Sequence, residues 1–239
     1  MIMKSIIKIS ALLILFVSVT SCFFDGVKGN GNVIAKNRSI SSDFVRIKAS
    51  SGIDVYLTEN GESSLVVEAD ENLHDLIETE VKNGTLYIGT KKNIWTARAK
   101  KVHVSVEKLV ELEVTSGAEV TSENTLNADD LKIIATSGAE FNLHLNVKNL
   151  NCESSSGSNV NIDGKVKYFM VSSSSGSNID AYGLETTNCI AKASSGSNIK
   201  VSVNKSFEGD ASTGGNIRFK GDPEEINTSD SSGGNIRKS

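Results

Sequence analysis

The chain has 239 residues with one proline and twenty glycines, and its 25 basic and 29 acidic side chains leave a net charge of −4. An acidic balance argues against nucleic acid as a partner, and a single proline with 38% hydrophobic residues excludes a disordered linker protein. With aromatic residues at 5% and Gly, Ser, Asn and Thr abundant, the composition favours many tight turns and small stacked side chains over one bulky core.

In chain order, the first feature is a targeting segment. Lys4 and Lys8 precede an apolar run over residues 9–19 that is too short and wrongly flanked for a transmembrane helix. Val19-Thr20-Ser21-Cys22 then places a cysteine after small residues, where cleavage is expected. That pattern resembles a bacterial lipoprotein signal, and an ordinary signal peptide followed by a stray cysteine is the other reading. Residues 1–21 are thus read as signal peptide, Cys22 as the lipidation site and 22–29 as a short polar tether. Phe23 and Phe24 belong either to the lipid interface or simply to the tether. Acyl chains on Cys22 would hold the protein to a membrane without any spanning segment. Losing residues 1–21 removes two lysines and no acid, so 23 bases face 29 acids and the net charge becomes −6. The expected address is the bacterial envelope, periplasmic or cell-surface, and Asp25 alone does not decide between the two leaflets.

Residues 30–110 read as an irregular β part. Val45, Ile47 and Ala49, then Ser51-Gly52, then Val55 and Leu57 alternate about a single corner. Residues 65–69 read as a strand and 71–76 as a helical turn. Residues 77–81 and 85–88 read as a hairpin around Asn83-Gly84, the favoured two-residue turn. Val102, Val104 and Val106 mark a further strand. This part is expected to cap the N-terminal end of the regular repeats beyond it, since solenoids need a cap.

Residues 111–239 carry seven copies of one phrase, from Ser116-Gly117-Ala118-Glu119-Val120 to Ser232-Gly233-Gly234-Asn235-Ile236. The leading glycines are Gly117, Gly138, Gly157, Gly176, Gly196, Gly214 and Gly233, and Gly52 stands in the equivalent place. Their spacings of 21, 19, 19, 20, 18 and 19 residues are the mark of a solenoid. Aligned on the glycine, apolar or small residues recur seven, five and three positions before it and three and five after it. Spacing of two means strands with one buried face. Each coil therefore supplies two strands joined at Ser-Gly, where glycine tolerates positive φ. A second corner is expected about seven residues later, at Asn124, Gly164, Gly183 and Gly221. Every copy runs in the same direction, so equivalent strands stack parallel. The predicted fold is all-β, a right-handed parallel β-helix with coils of about 19 residues and an irregular β N-terminal part.

Cys152 and Cys189 fall in inward columns two coils apart, roughly 10 Å at about 4.8 Å per coil, beyond disulfide reach. They are expected to be buried free thiols. Two positions after the glycine stand Glu119, Glu140, Asn159, Asn178, Asn198, Asn216 and Asn235. Stacked asparagines hydrogen-bond along such a column, and a polar stripe for sugar hydroxyls is the functional alternative. At the far end Arg237 and Lys238 guard an edge that either stays charged or pairs with a second molecule.

The ordered motifs resemble one known family. Gly29-Asn30-Gly31-Asn32-Val33, Ser51-Gly52-Ile53-Asp54-Val55-Tyr56-Leu57, Val66-Val67-Glu68-Ala69-Asp70-Glu71-Asn72-Leu73 and the Ser-Gly-Ser-Asn-Ile series are similar to auto-transporter adhesins with a head GIN domain, common in Bacteroides and relatives. The resemblance covers nearly the whole chain after residue 21. It implies a pectin-lyase-like β-helix and a role in adhesion, and it carries no catalytic residue. Bactofilin-type polymer-forming proteins are a weaker resemblance.

For chemistry, His74, His103 and His144 lie too far apart in sequence for a zinc motif, and neither a Gly-x-Ser-x-Gly elbow nor a phosphate loop is present. No metal or cofactor is expected. Glu119 and Glu140 share a column, with Asp54 in the equivalent place, and paired carboxylates serve glycoside hydrolysis. Two solvated acids at a corner are the alternative, and the repeat supplies no basic partner of the kind a lyase needs. One basic cluster, Lys91, Lys92, Arg98, Lys100 and Lys101, surrounds Trp95. It is either a solvated loop or a tip whose aromatic face stacks on sugars or headgroups. The reading that results is a non-catalytic, lipid-anchored display protein that contacts a glycan or a host or matrix surface. Its rivals are a polysaccharide-cleaving enzyme using Glu119 and Glu140, and a self-associating envelope scaffold.

Overall fold

The computed structural model describes residues 26–239 apart from residue 42. The expected signal peptide, Cys22, Phe23 and Phe24 lie outside the described residues. Strands β1 (Gly26–Lys28) and β2 (Val33–Asn37) lead into β3 (Arg46–Ala49) and β4 (Asp54–Glu59), the two arms of the Gly52 coil. An excursion comes next: β5 (Ser64–Asp70), a 3-10 turn at Glu71–Leu73, β6 (Ile77–Lys82), β7 (Thr85–Thr90), β8 (Asn93–Thr96) and β9 (Lys100–Val106). β10 (Glu111–Val114) and β11 (Glu119–Ser122) flank Gly117, and β12 (Leu126–Ala135) leads to Gly138. β13 (Glu140–Ser154), β14 (Asn159–Ser173), β15 (Asn178–Ala193) and β16 (Asn198–Ala211) each run from one corner almost to the next. β17 (Asn216–Lys220), β18 (Glu225–Asp230) and β19 (Asn235–Lys238) complete the stack.

Successive coils pair in parallel and in register. Phe141 sits on Val160, Val160 on Ile179, Ile179 on Ile199, Ile199 on Ile217 and Ile217 on Ile236. This is the β-solenoid that the period predicts. Each Ser-Gly corner is a turn in which both central residues take positive φ: 55° at Ser156 and 70° at Gly157, for example. Ser158 N–H donates to the Ser155 carbonyl across it at 3.3 Å, the pattern of a type I′ turn. The inter-coil ladder passes through the corner, because Gly157 N–H donates to the Ser175 carbonyl of the next coil at 3.2 Å.

The second bend differs from expectation. Gly164 and Gly221 have φ of 109° and 100°, but Gly183 and Asn124 do not take positive φ. The chain stays within β14 and β15 through this bend, and inward residues recur beyond it at Leu126, Leu145, Val147, Val166, Leu184 and Val203.

The interior is filled by complementary sizes. Phe169, Cys189 and Phe207 occupy successive rungs of one column. Phe207 stacks on Phe219 with ring centroids 4.4 Å apart. Its ring also lies over Gly209, where an added Cβ would come within 2.9 Å of it. Burying a phenylalanine of this kind is worth roughly 2–3 kcal/mol. Cys152 and Cys189 are free and buried, and burial pushes the Cys152 thiol up to about 12 and raises that of Cys189 as well. The columns lose their cover only at the Gly233 coil, where Ile226 is 52% exposed and residues 225–233 are exposed throughout.

The excursion folds back against the first coil. β7 stacks parallel on β3, and β9 parallel on β4, each on the side away from β10 and β11. Rung order therefore departs from chain order: the chain leaves β9, passes the Gly52 coil and resumes at β10. Antiparallel β5 and β2 finish one arm and antiparallel β6 the other. The β6–β7 hairpin turns at Asn83 (φ 50°) and Gly84 (φ 72°). Residues 26–28, placed in the tether by sequence, form β1, which pairs in parallel with β8 in a separate two-stranded sheet.

Candidate functional site

Three outward surfaces carry chemistry. The first is the column two residues after each glycine. In register it reads Lys101, Asp54, Glu119, Glu140, Asn159, Asn178, Asn198, Asn216 and Asn235. Asn178 donates to Asn159 at 3.2 Å and Asn198 to Asn178 at 2.8 Å, whereas Asn216 turns to its own Gly214 carbonyl. At the acidic end the Asn142 amide donates to Glu119 at 3.1 Å and to Glu140 at 3.4 Å, and the Thr121 hydroxyl donates to Glu119. Burial raises the Asp54 carboxyl above its usual range; the charges of Lys100 and Lys101 oppose that shift and Glu119 adds to it. The repeat supplies no cation here, but β9 does, by a pairing that sequence periodicity does not reveal.

The second surface is the Trp95 region. Trp95 is 60% exposed on β8, and its indole lies against Gly26 of β1 so closely that an added Cβ would sit 2.2 Å from the ring. The five basic residues expected around it do not stay together. Lys101 faces Glu68 at 3.9 Å and Lys100 faces Asp54. Lys91 donates to the Asp75 carbonyl, and Lys92 and Arg98 are exposed. β1 adds Lys28, two positions from Gly26.

The third surface was not singled out by sequence. On the arm before the corner, the outward residues eight and six positions ahead of Gly176 are Tyr168 and Met170, 46% and 54% exposed. Ile190 is in register with Met170 on the next coil, and Asn149, Asn151 and Asn188 occupy the neighbouring rungs of the same two columns. Together they line a groove of about 680 Å³. The Asn149 amide donates to Asp130 at 2.8 Å and that of Asn151 to Glu153 at 3.2 Å. Their carbonyl oxygens are left as acceptors. The available signal was large apolar residues at outward positions, where other coils carry Asn, Asp, Ser, Lys or Glu.

The serines around the corner divide sharply. Ser158, Ser177 and Ser197 are buried and donate to carbonyls of the preceding coil, as Ser177 does to Ser154 at 2.9 Å. They are out of a sugar's reach. The histidines are dispersed: His74 is buried against the Ile34 carbonyl, His103 stacks on Tyr56, and His144 pairs with Asp163. Among the described residues no group of three or more His, Cys, Asp or Glu is placed to hold a metal ion. Nor is any helix long and apolar enough to cross a membrane.

A stack of parallel coils with Ser-Gly corners is shared with a recognised family. Residues 43–223 match the model for "Putative auto-transporter adhesin, head GIN domain". The chain belongs to this family. Among solved structures it is similar to a "putative adhesin" from Bacteroides fragilis, at 21% identity and a TM-score of 0.82, covering 90% of this chain and 100% of that one. A "putative adhesin" from Parabacteroides distasonis matches at 21% identity and TM-score 0.73, with the same coverage. A "putative lipid binding protein" from the same species matches at 22% and 0.70, again with 90% and 100% covered. At these identities the likeness is one of fold. Among curated proteins none matches the sequence.

Proposed function

We propose that this head GIN domain protein is a non-catalytic, lipid-anchored protein of the bacterial envelope that displays its solenoid for adhesion and holds glycan along the groove over Tyr168 and Met170. The groove carries the reading. Rungs repeat at about 4.8 Å, close to the length of one sugar ring. An exposed aromatic face flanked by amide oxygens suits pyranose stacking and hydroxyl donation. Lys167 Nζ, 5.2 Å from the Tyr168 ring centroid, adds a cationic rim.

A glycan array with product analysis tests this. Tyr168→Ala is expected to weaken binding about tenfold, in the range of a lost aromatic stacking contact. Its unfolding midpoint should barely move, because surface changes away from special features stay within about 0.5 kcal/mol. Unchanged binding in this variant removes the groove from the reading.

Lys100 beside Asp54 favours a second reading, a polysaccharide-cleaving site with Glu119 and Glu140. Released oligosaccharide that disappears in Glu119→Gln would establish it in place of display. The asparagine column is read as structural. Asn178→Leu removes both of its ladder hydrogen bonds and is then expected to destabilise the protein by about 1–3 kcal/mol, at a net worth of about 0.5–1.5 kcal/mol each, and to leave glycan binding intact. Loss of binding without loss of stability would instead make the column a ligand stripe. The exposed outer edges of β18 and β19 favour self-association as a further role, which light scattering resolves.

A further inference from the structure

We infer that the β1·β8 sheet is a bilayer-docking face, in which Trp95 seats in the headgroup region of an anionic membrane and the capped end of the solenoid stands on the lipid. The inference rests on the lipid-anchor reading of Cys22, and the two are tested by separate measurements.

Chain length sets the geometry. Three residues separate Cys22 from Gly26, so a lipidated Cys22 would hold Gly26 within about 14 Å of the anchor, at no more than about 3.6 Å per residue. Gly26 is in direct contact with the Trp95 indole. Any anchor at Cys22 therefore brings Trp95 to the membrane surface with it. Tryptophan favours that depth because its ring is apolar and its N–H is polar.

The charges agree. The two stretches that contain the strands of this sheet, residues 26–42 and 91–106, which also run on into β2 and β9 of the main sheet, hold Lys28, Lys36, Arg38, Lys91, Lys92, Arg98, Lys100 and Lys101 and no acidic residue. This is so although the chain after residue 21 is acidic overall. Of these, Lys28 and Lys92 are exposed and enter no ion pair among the described residues, and Arg98 is exposed with its charge acting on the buried Asp70 carboxylate. Basic side chains at an anionic surface each strengthen partition roughly fivefold. Val27 and Ile94, half-buried and in register in the same sheet, point by strand alternation to the side away from Trp95, which leaves the indole on the exposed face. A membrane explains why an exposed indole packs on the strand just beyond the anchor, which a glycan contact at a distal tip does not.

Trp95 is the only tryptophan, so intrinsic fluorescence reports this residue alone. The mature chain with Cys22→Ser, which lacks the lipid, is mixed with vesicles of phosphatidylcholine containing about 30% phosphatidylglycerol, and with pure phosphatidylcholine. The expected result is a blue shift of Trp95 emission and co-sedimentation with the anionic vesicles only. Lys28→Glu with Lys92→Glu is expected to weaken partition at least about tenfold, whereas Tyr168→Ala leaves it unchanged. Unshifted emission with no co-sedimentation overturns the proposal, as does binding that survives the charge reversals. The anchor itself is read independently, from the mass of the N-terminal peptide of protein made in its native membrane: an unmodified Cys22 refutes the anchor while the vesicle result still stands or falls alone.

Discussion

Gly164→Ala is expected to destabilise the protein by about 3–5 kcal/mol, the range that marks a special backbone position. Two independent faults combine. Gly164 has φ of 109°, which an L side chain rarely adopts. A Cβ there would also sit 2.0 Å from the carbonyl oxygen of Leu145, its register partner on the preceding coil. That atom is backbone inside a hydrogen-bonded ladder, so neither side can yield without opening the stack. Gly157→Ala, seven residues earlier, is the control. Its φ of 70° lies in the ordinary left-handed region, and a Cβ would find nothing within 4 Å, so only the roughly 1–2 kcal/mol of left-handed strain applies. Thermal or urea unfolding of the two variants checks this. At roughly 2–4 °C per kcal/mol for a chain of this size, the melting temperatures should differ by several degrees, and equal values would mean that the second bend yields where this geometry says it cannot. Gly221, with φ of 100° and Val203 O at 2.1 Å, should repeat the result.

That contrast shows how far the sequence could be read. The period, the inward columns and the corner at Ser-Gly all come from spacing, because a solenoid repeats its buried face at fixed intervals. The hairpin at Asn83-Gly84 was legible for a similar local reason. The order of the rungs was not. Nothing local in β7 or β9 says that they stack beneath the Gly52 coil, since those pairings join residues 39 and 47 positions apart, as in Arg46 with Thr85 and Asp54 with Lys101, and carry no repeat. Gly183 looks like Gly164 in sequence and differs in φ because the coil beginning at Gly176 is one residue longer, and the extra residue is absorbed as a register shift between Asn161 and Asp163. The Trp95 cluster was drawn from sequence neighbours, whereas alternation along β9 and the turn before it send Lys100, Lys101 and Arg98 to different partners. The Tyr168 groove stayed hidden because the outward columns of the arm before the corner vary from coil to coil, unlike the inward columns and the asparagine column after the corner.

Asp70→Asn is expected to loosen the cap by at least about 3 kcal/mol, since hydrogen bonds to a charged group contribute about 1.5–3 kcal/mol each and a buried donor left unmatched adds its own cost. The Asp70 side chain is only 1% exposed. One oxygen accepts from Gly31 N–H at 2.8 Å, and the other accepts from Arg98 and Ala99 N–H at 3.0 Å each. Gly29 packs against the same carboxylate so tightly that a Cβ would lie 2.1 Å from it. One side chain thus ties the Gly-Asn-Gly-Asn segment and the loop after β8 to β5, which holds β1 beside β8. An asparagine has one acceptor oxygen, and its amide nitrogen would meet a backbone N–H donor to donor. Burial pushes the Asp70 carboxyl up, but the three backbone donors and the Arg98 charge outweigh it and hold the group below its usual value. The unfolded chain therefore takes up the proton first as pH falls. The stabilisation is complete above the unfolded value near 4 and drains away as pH drops through the lower folded value. Urea midpoints of the native protein and Asp70→Asn should differ fully at about pH 7, still differ at about pH 5, and draw together only as the pH falls below the unfolded value near 4. A gap that stays constant across that range would show that the carboxylate charge is not what holds the N-terminal segment. If the gap closes, emission from Trp95 should redden over the same interval, because releasing Gly31 and Arg98 frees the strand on which the indole rests.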